Sequence, residues 1–344
     1  MRRFFLIALI TALLVPVVAS QTQPAQLASP SAVGQARQQE DVPAIRRIVE
    51  LVNVVFTVVN RRQKFIIDLD RSNFKVFEDG RPQEIRHFSR ETDLPLRVGM
   101  LLDTSNSIRD RLKFEQEAAI DFFHNVVRRK KDLAFLMTFD NEPAVIHDFT
   151  DDLGALSETV LRQRAGGGTA LYDAIYYACR QRLLNPPAGE NLEVRRVLVV
   201  ISDGEDNLSE RSRGEAIQMA QRAEVAVYTI STSTDWLSIT GQTPKKLHKT
   251  RGDEVLEQLA TETGGRAFFP YRIDDLAQSF MDIGVELRSQ YSLAYVPTNR
   301  AADGKFRAIR IEVDRKGLNV RARKGYYAPR ASAEASRPAG TSPE

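Results

Sequence analysis

The stretch from Leu96 to Ser107, Leu-Arg-Val-Gly-Met-Leu-Leu-Asp-Thr-Ser-Asn-Ser, most constrains what this chain can fold into, because a short apolar run ends abruptly in oxygen-bearing side chains. A run of that length reads as a buried strand of a parallel sheet. Downstream, Ile108, Leu112, Ala119, Phe122, Phe123 and Val126 recur at helical spacing within Ile108 to Arg129, which puts Asp103, Ser105 and Ser107 in the turn between a strand and a helix. Open α/β sheets bind ligands at that edge. One carboxylate and two hydroxyls at alternate positions have no adjacent base to make a nucleophile, but they are hard oxygen ligands of the kind Mg²⁺ takes. A polar turn in which Ser107 caps the helix accounts for the same three positions.

Two later stretches decide between these readings. Gly166-Gly167-Gly168-Thr169 precedes a second helical pattern, and Val197-Leu198-Val199-Val200-Ile201-Ser202-Asp203-Gly204 is another apolar strand ending in a carboxylate. They bring Thr169 and Asp203 to the same sheet edge. Asp103-x-Ser105-x-Ser107, then Thr169, then Asp203 after a later strand, resembles the metal-ion-dependent adhesion site of von Willebrand factor type A domains, and the whole chain resembles the secreted bacterial proteins related to that family. The resemblance covers about residues 96–285 through these five positions, and more loosely the flanking β segments with their Asp-Gly hairpin. It implies a six-stranded sheet between helices, with Mg²⁺ at its upper edge, Mn²⁺ or Ca²⁺ as alternatives, and a protein partner bound through that metal by an Asp or Glu side chain. It also implies that Ser105 and Ser107 contact the ion directly, that Asp103 and Asp203 act directly or through water, and that Thr169 changes contact when a ligand binds. Two carboxylates and several hydroxyls would leave room in an octahedral shell for a partner's carboxylate.

The rest of the chain frames this domain. Arg2 and Arg3, the apolar run Phe4 to Ala19 and the small residues Val18-Ala19-Ser20 have the three parts of a secretory signal peptide over residues 1–20. The run is short for a membrane span and is interrupted by Pro16, so no stable span is expected after cleavage, and no Cys follows it to carry a lipid. The protein is thus expected to be secreted or to reside in the periplasm or cell envelope. Residues 21–44 have the composition of a disordered linker. Residues 45–92 read as an N-terminal β segment, with β-branched Ile45 to Val59 and an Asp79-Gly80 turn between Phe74–Phe77 and Gln83–Phe88. From 93 to 288 strand and helix patterns alternate, the mark of a doubly wound, mainly parallel α/β domain. Alternating strands return over 289–328, and 329–344 read as a disordered tail. The two β segments are expected to form one small module, since each alone offers few strands and a thin apolar face.

Other signals yield to plainer readings. The chain carries 48 Lys or Arg against 45 Asp or Glu, and losing Arg2 and Arg3 brings it still nearer neutrality, so net charge names no polyanionic partner. Residues 299–330 hold ten basic and three acidic residues, but they alternate with Ile309, Ile311 and Val313 as the outer faces of antiparallel strands do, and no nucleic-acid role is expected. The only cysteine, Cys179, lies in an apolar helical pattern and reads as a buried residue. Arg251-Gly252-Asp253 matches a tripeptide that adhesion receptors recognise, although Asp253 also suits a helix N-cap. Asn207-Leu208-Ser209 has a glycosylation pattern but falls in the Asp203 loop, which its residues more plainly shape. An Asp-led phosphatase of the haloacid dehalogenase type needs an acid where Ser105 stands. Gly166–Thr169 lacks the Lys of a phosphate-binding loop, and the four histidines show no ligand spacing. No catalytic residue is assigned and no enzyme activity is expected. The reading is an adhesion or assembly module, with a structural envelope protein stabilised by its metal as the alternative and a metal-dependent hydrolase behind both.

Overall fold

The computed structural model describes residues 51–90, 94–184, 194–233, 249–270 and 272–330. The expected signal segment, the linker, the start of the first strand region, the loop holding Trp236 and the tail beyond Arg330 lie outside these residues. Four strands come first, β1 (Val52–Asn60), β2 (Phe74–Glu78), β3 (Arg81–Gln83) and β4 (Ile85–Ser89). The α/β part follows as β5 (Leu96–Asp103), α1 (Leu112–Val126), β6 (Leu133–Phe139), β7 (Pro143–Thr150), α2 (Leu153–Leu161), α3 (Leu171–Tyr177), β8 (Arg195–Ser202), α4 (Arg213–Arg222), β9 (Val225–Ser231), α5 (Arg251–Thr263), β10 (Ala267–Phe268) and α6 (Ile273–Leu287). The chain closes with β11 (Tyr291–Tyr295), β12 (Phe306–Val313), β13 (Leu318–Ala322) and β14 (Gly325–Tyr327).

The central sheet has six strands in the order β10-β9-β8-β5-β6-β7, all parallel except the edge strand β7. All eight residues of β5 are buried, because helices cover both faces. Val98, Met100 and Leu102 pack with Phe122, Phe123, Phe280 and Ile283 of α1 and α6, while Leu101 packs on the other face with Leu171, Ile175, Ala216 and Leu256 of α3, α4 and α5. Each such side chain contributes about 1.5–3 kcal/mol by leaving water. This is the doubly wound architecture that the alternating patterns predict. The helical pattern after Thr169 changes pitch midway: α3 runs into a π-helical turn over Ala178–Leu183 that carries the fully buried Cys179.

The flanking strands form two antiparallel four-stranded sheets, β13-β1-β11-β4 and β14-β12-β2-β3, each drawing on both ends of the chain. They enclose one core around Val54, Phe56, Phe74, Val76, Tyr291 and Ile309. Asp79 and Gly80, at φ of 47° and 79°, make the tight turn between β2 and β3, as the sequence predicts. The second flank of that hairpin is not one strand, however: β3 ends at Gln83, and β4 crosses to the other sheet to pair with β11. The sandwich sits against the start of the parallel sheet. Lys324 N donates to Glu262 O, and Gly264 leaves room for the Arg323 backbone, where a Cβ would lie 2.5 Å from Arg323 N. Glu286 of α6 is wholly buried at this junction, 2.8 Å from Arg321 and accepting from Thr57 Oγ1 and Tyr228 Oη.

Candidate metal centre

Strands β5 and β8 lie side by side with Leu102 opposite Ile201, so Asp103 and Ser202 arrive together at the carboxyl edge of the sheet, with Asp203 one residue beyond. Ser202 Oγ donates to Asp103 Oδ2 at 2.7 Å, and Ser105 N donates to Asp103 Oδ1 at 2.8 Å. Ser105 Oγ and Ser107 Oγ are 2.9 Å apart. The alternative in which Ser107 caps the helix does not hold: Ser107 sits in a short 3₁₀ turn (Asn106–Ile108), and the residue at the head of α1 is Arg111.

Three loops are tied to one another around these residues. Gly166 N donates to Thr104 O at 2.7 Å and Asn106 N to Gly167 O at 3.2 Å, which joins the glycine loop to the Asp103 loop. Thr169 N donates to Asn207 Oδ1 at 2.9 Å, and Asn207 N and Leu208 N donate back to Thr169 O, which joins it to the Asp203 loop. Gly167 supplies a left-handed φ of 82°, and Gly168 leaves space that Leu208 occupies, since a Cβ there would lie 2.4 Å from Leu208 Cδ1. Thr169 does not cap α3, whose N-cap is Ala170 without a side-chain bond. With Thr169 N and O both engaged, a change of contact at Thr169 falls to its side chain rather than to a moving loop. All five predicted residues are thus carried on one sheet edge by linked loops, with Asp103, Ser105 and Thr169 buried, Asp203 half-buried and Ser107 exposed.

Electrostatics mark the site. Burial, with the Asp203 charge adding to it, pushes the Asp103 carboxyl up to about 6 against the hydrogen bonds it accepts from Ser105 and Ser202. Glu115 of α1 lies wholly buried close to it, and among the described residues neither of its oxygens makes a hydrogen bond of ordinary geometry, although the Thr232 hydroxyl is near enough to stabilise its charged form. Burial and then the charge of Asp103 push that carboxyl up to about 8, with Arg111 opposing them. Arg111 is itself buried, and donates to Ser107 O at 2.8 Å and to Thr232 O. Ser202, Arg111 and Glu115 were not singled out from sequence as parts of this site, and Asn207 only as a residue shaping the Asp203 loop. Two of them carried a readable signal: Ser202 must face Asp103 if the two strands pair in register, and Glu115 falls on the apolar face of α1 between Leu112 and Ala119.

The carboxyl end of the Arg251-Gly252-Asp253 tripeptide is buried, as Gly252 and Asp253 pack into the head of α5. Asp253 is not the N-cap expected: Thr250 is, and Asp253 answers it three residues on, with Oδ2 accepting from Thr250 N and Oδ1 from Ser231 Oγ. Gly204 and Gly252 meet backbone to backbone, so α5 starts directly against the Asp203 turn. Asn207 and Ser209 shape their loop as expected, Ser209 Oγ bonding Asp206 and accepting from Asp173 N.

A doubly wound sheet with linked oxygen-bearing loops at its carboxyl edge defines the class. The von Willebrand factor type A domain model matches residues 98–282, and the chain belongs to that family. No curated protein matches it. Among solved structures it is similar to the conserved hypothetical protein BatB of Bacteroides thetaiotaomicron, at 19% identity over 55% of this chain and 99% of that one, with a TM-score of 0.40. It is similar also to the vWF domain of the type V pili tip protein Mfa5 of Porphyromonas gingivalis, at 16% identity over 56% and 94% of the two chains and a TM-score of 0.41. A third is proximal thread matrix protein 1 of the mussel byssus with a zinc-occupied MIDAS motif, at 15% identity over 60% and 48% and a TM-score of 0.45. Among the described residues no helix is long and apolar enough to cross a membrane.

Proposed function

We propose that this protein is an exported, metal-dependent protein-binding module whose A-type domain spans residues 93–288, flanked by a module made of 45–92 and 289–328. The observation that carries the reading is the convergence of Asp103, Ser105, Ser107, Thr169 and Asp203 on one edge through three mutually bonded loops. The donor set fits a hard cation such as Mg²⁺. It consists of two carboxylates and three hydroxyls, and Asp103 is buried beside a second negative charge that a cation would neutralise. When bound, the ion supplies a Lewis-acidic centre that accepts a further carboxylate. In this reading Ser105 and Ser107 hold the ion directly. Asp103, whose oxygens already accept from Ser105 N and Ser202 Oγ, is oriented by those bonds. Asp203, half-buried, and Thr169 line the side from which a partner's Asp or Glu approaches. Export rests on the N-terminal sequence pattern.

Capture of a partner from a cell-envelope extract by the wild-type protein and by Asp103→Ala, each with Mg²⁺ and with EDTA, tests it. Binding present only for wild type with Mg²⁺ is expected. A partner held equally by the variant or in EDTA would overturn the metal-dependent role.

A further inference from the structure

Arg111 stands at the head of α1, buried, four residues after Ser107. Its Nη2 donates to Ser107 O at 2.8 Å and its Nη1 to Thr232 O, just beyond the end of β9. Thr232 N in turn donates to Ser202 O at 3.0 Å. From Ser202 the path returns to its start. Ser202 Oγ donates to Asp103 Oδ2, Ser105 N donates to Asp103 Oδ1, and Ser105 Oγ meets Ser107 Oγ at 2.9 Å. The loop after β5 is thus held to the ends of β8 and β9 from two sides, by Ser202 at Asp103 and by the Arg111 guanidinium at Ser107.

Ser107 is the exposed member of the donor set, and the backbone bonds of its turn are long: Asn106 N reaches Gly167 O at 3.2 Å and Ile108 N reaches Ser105 O at 3.4 Å. A bond from a buried, ionised donor is stronger than a neutral one and fixes the carbonyl it meets. The planar fork of arginine offers two Nη donors to two carbonyls at once, where lysine has a single nitrogen. The charge of Arg111 acts in the opposite sense. A buried positive group near a cation site repels the ion, and Glu115, four residues on and wholly buried, lies within reach of that charge and offsets it. Geometry and charge therefore predict opposite effects of Arg111 on metal affinity.

We infer that Arg111 is a positioning residue of the metal centre, an inference that rests on the function proposed above: by holding Ser107 O against the end of β9, it places Ser107 Oγ for direct contact with the ion. The test is calorimetric titration of Mg²⁺ into wild type, Arg111→Lys, Arg111→Gln, Ser107→Ala and the double variant Ser107→Ala/Arg111→Lys, with the melting temperature of each in EDTA to confirm that folded proteins are compared. Arg111→Lys keeps the charge and loses the fork, and is expected to weaken Mg²⁺ binding about 10-fold. In the Ser107→Ala background the same change should cost less than about twofold, because the group it positions is gone. Arg111→Gln, relieved of the repulsion, should lose less than Arg111→Lys but still lose, and it serves where Arg111→Lys folds poorly. A readout without metal is amide exchange in EDTA, expected to be faster at Asn106 and Ile108 in Arg111→Lys than in wild type. Unchanged or tighter Mg²⁺ binding in both Arg111 variants would leave only the effect of charge, and equal losses with and without the Ser107 hydroxyl would mean a general structural role; either overturns the inference. Wild type that binds no Mg²⁺ would remove the centre itself, and this role with it.

Discussion

The two ends of the parallel sheet are finished in opposite chemistries. At the carboxyl edge, Asp103, Asp203 and the buried Glu115 stand close to loops that leave Ser107 exposed. At the amino edge, Arg195, Arg196 and Arg323 are covered by the sandwich. The first end keeps charge that its own residues do not neutralise and stays open on one side. The second spends its charge largely on holding another layer. In the proposed reading, one sheet separates binding from assembly by placing the residues of each at different strand ends.

The largest expected effect breaks the assembly end. Truncation after Val296 removes β12, β13 and β14, which pair with β2 and β1. Hydrogen exchange over Val52–Asn60 and Phe74–Glu78 should then accelerate by orders of magnitude while β5 and β8 stay protected. Protection unchanged in β1 and β2 would mean that the two flanks do not depend on each other.

Next comes the pH dependence of the metal-free protein. Glu115 titrates near 8 in the folded chain against an ordinary value of 4.5. The folded state therefore holds the proton more tightly than the unfolded one, and the resulting stability is complete below pH 4.5 and lost as the pH rises through about 8. The loss is on the order of 5 kcal/mol. Asp103 adds a loss of the same sign between 3.8 and about 6. Urea melts in EDTA from pH 4 to 9 should show this decline, and Glu115→Gln should flatten its upper half. An equally steep fall in that variant would place its origin elsewhere.

At the binding end, Asp103→Ala should lower Mg²⁺ affinity by more than about 100-fold, beyond what loss of an outer-shell partner produces. Its melting temperature in EDTA should change little, because a desolvated charge is removed with the contact. Calorimetric titration decides it, and unchanged affinity would remove Asp103 from the site. The smallest effect is expected from Thr169→Ala. Partner affinity should fall by about 1–3 kcal/mol, the worth of one hydrogen bond to a charged group, with a smaller change in Mg²⁺ affinity. Since Thr169 does not cap α3, stability should hold; a stability loss with partner affinity unchanged would confine Thr169 to the loop's architecture.

Much of this was legible in the residues themselves. Strands buried on both faces are apolar through their middle, with polar residues only near their ends, so β5, β8 and β9 stand out, and amphipathic helices between them set the doubly wound order. The five oxygen-bearing positions were readable because Asp103, Ser105, Ser107 and Asp203 come just after apolar strands and Thr169 stands just before a helical pattern. What the sequence alone determined, then, is the layer architecture, the edge at which Asp103, Ser105, Ser107, Thr169 and Asp203 gather, and the presence of β strands on both flanks of the α/β part. Local order carries that information: period, strand length and turn residues act over a few positions. Only the tertiary structure decided that β4 leaves β3 for the other sheet, that Thr250 rather than Asp253 heads α5, and that Ser202 and Asn207 hold Asp103 and Thr169. It alone decided that Glu115 lies close to the site and that Arg323 meets Arg195 and Arg196. These are contacts of polar groups across long sequence separations, where the cost of burying a charge or an amide is met by a partner that no local pattern announces.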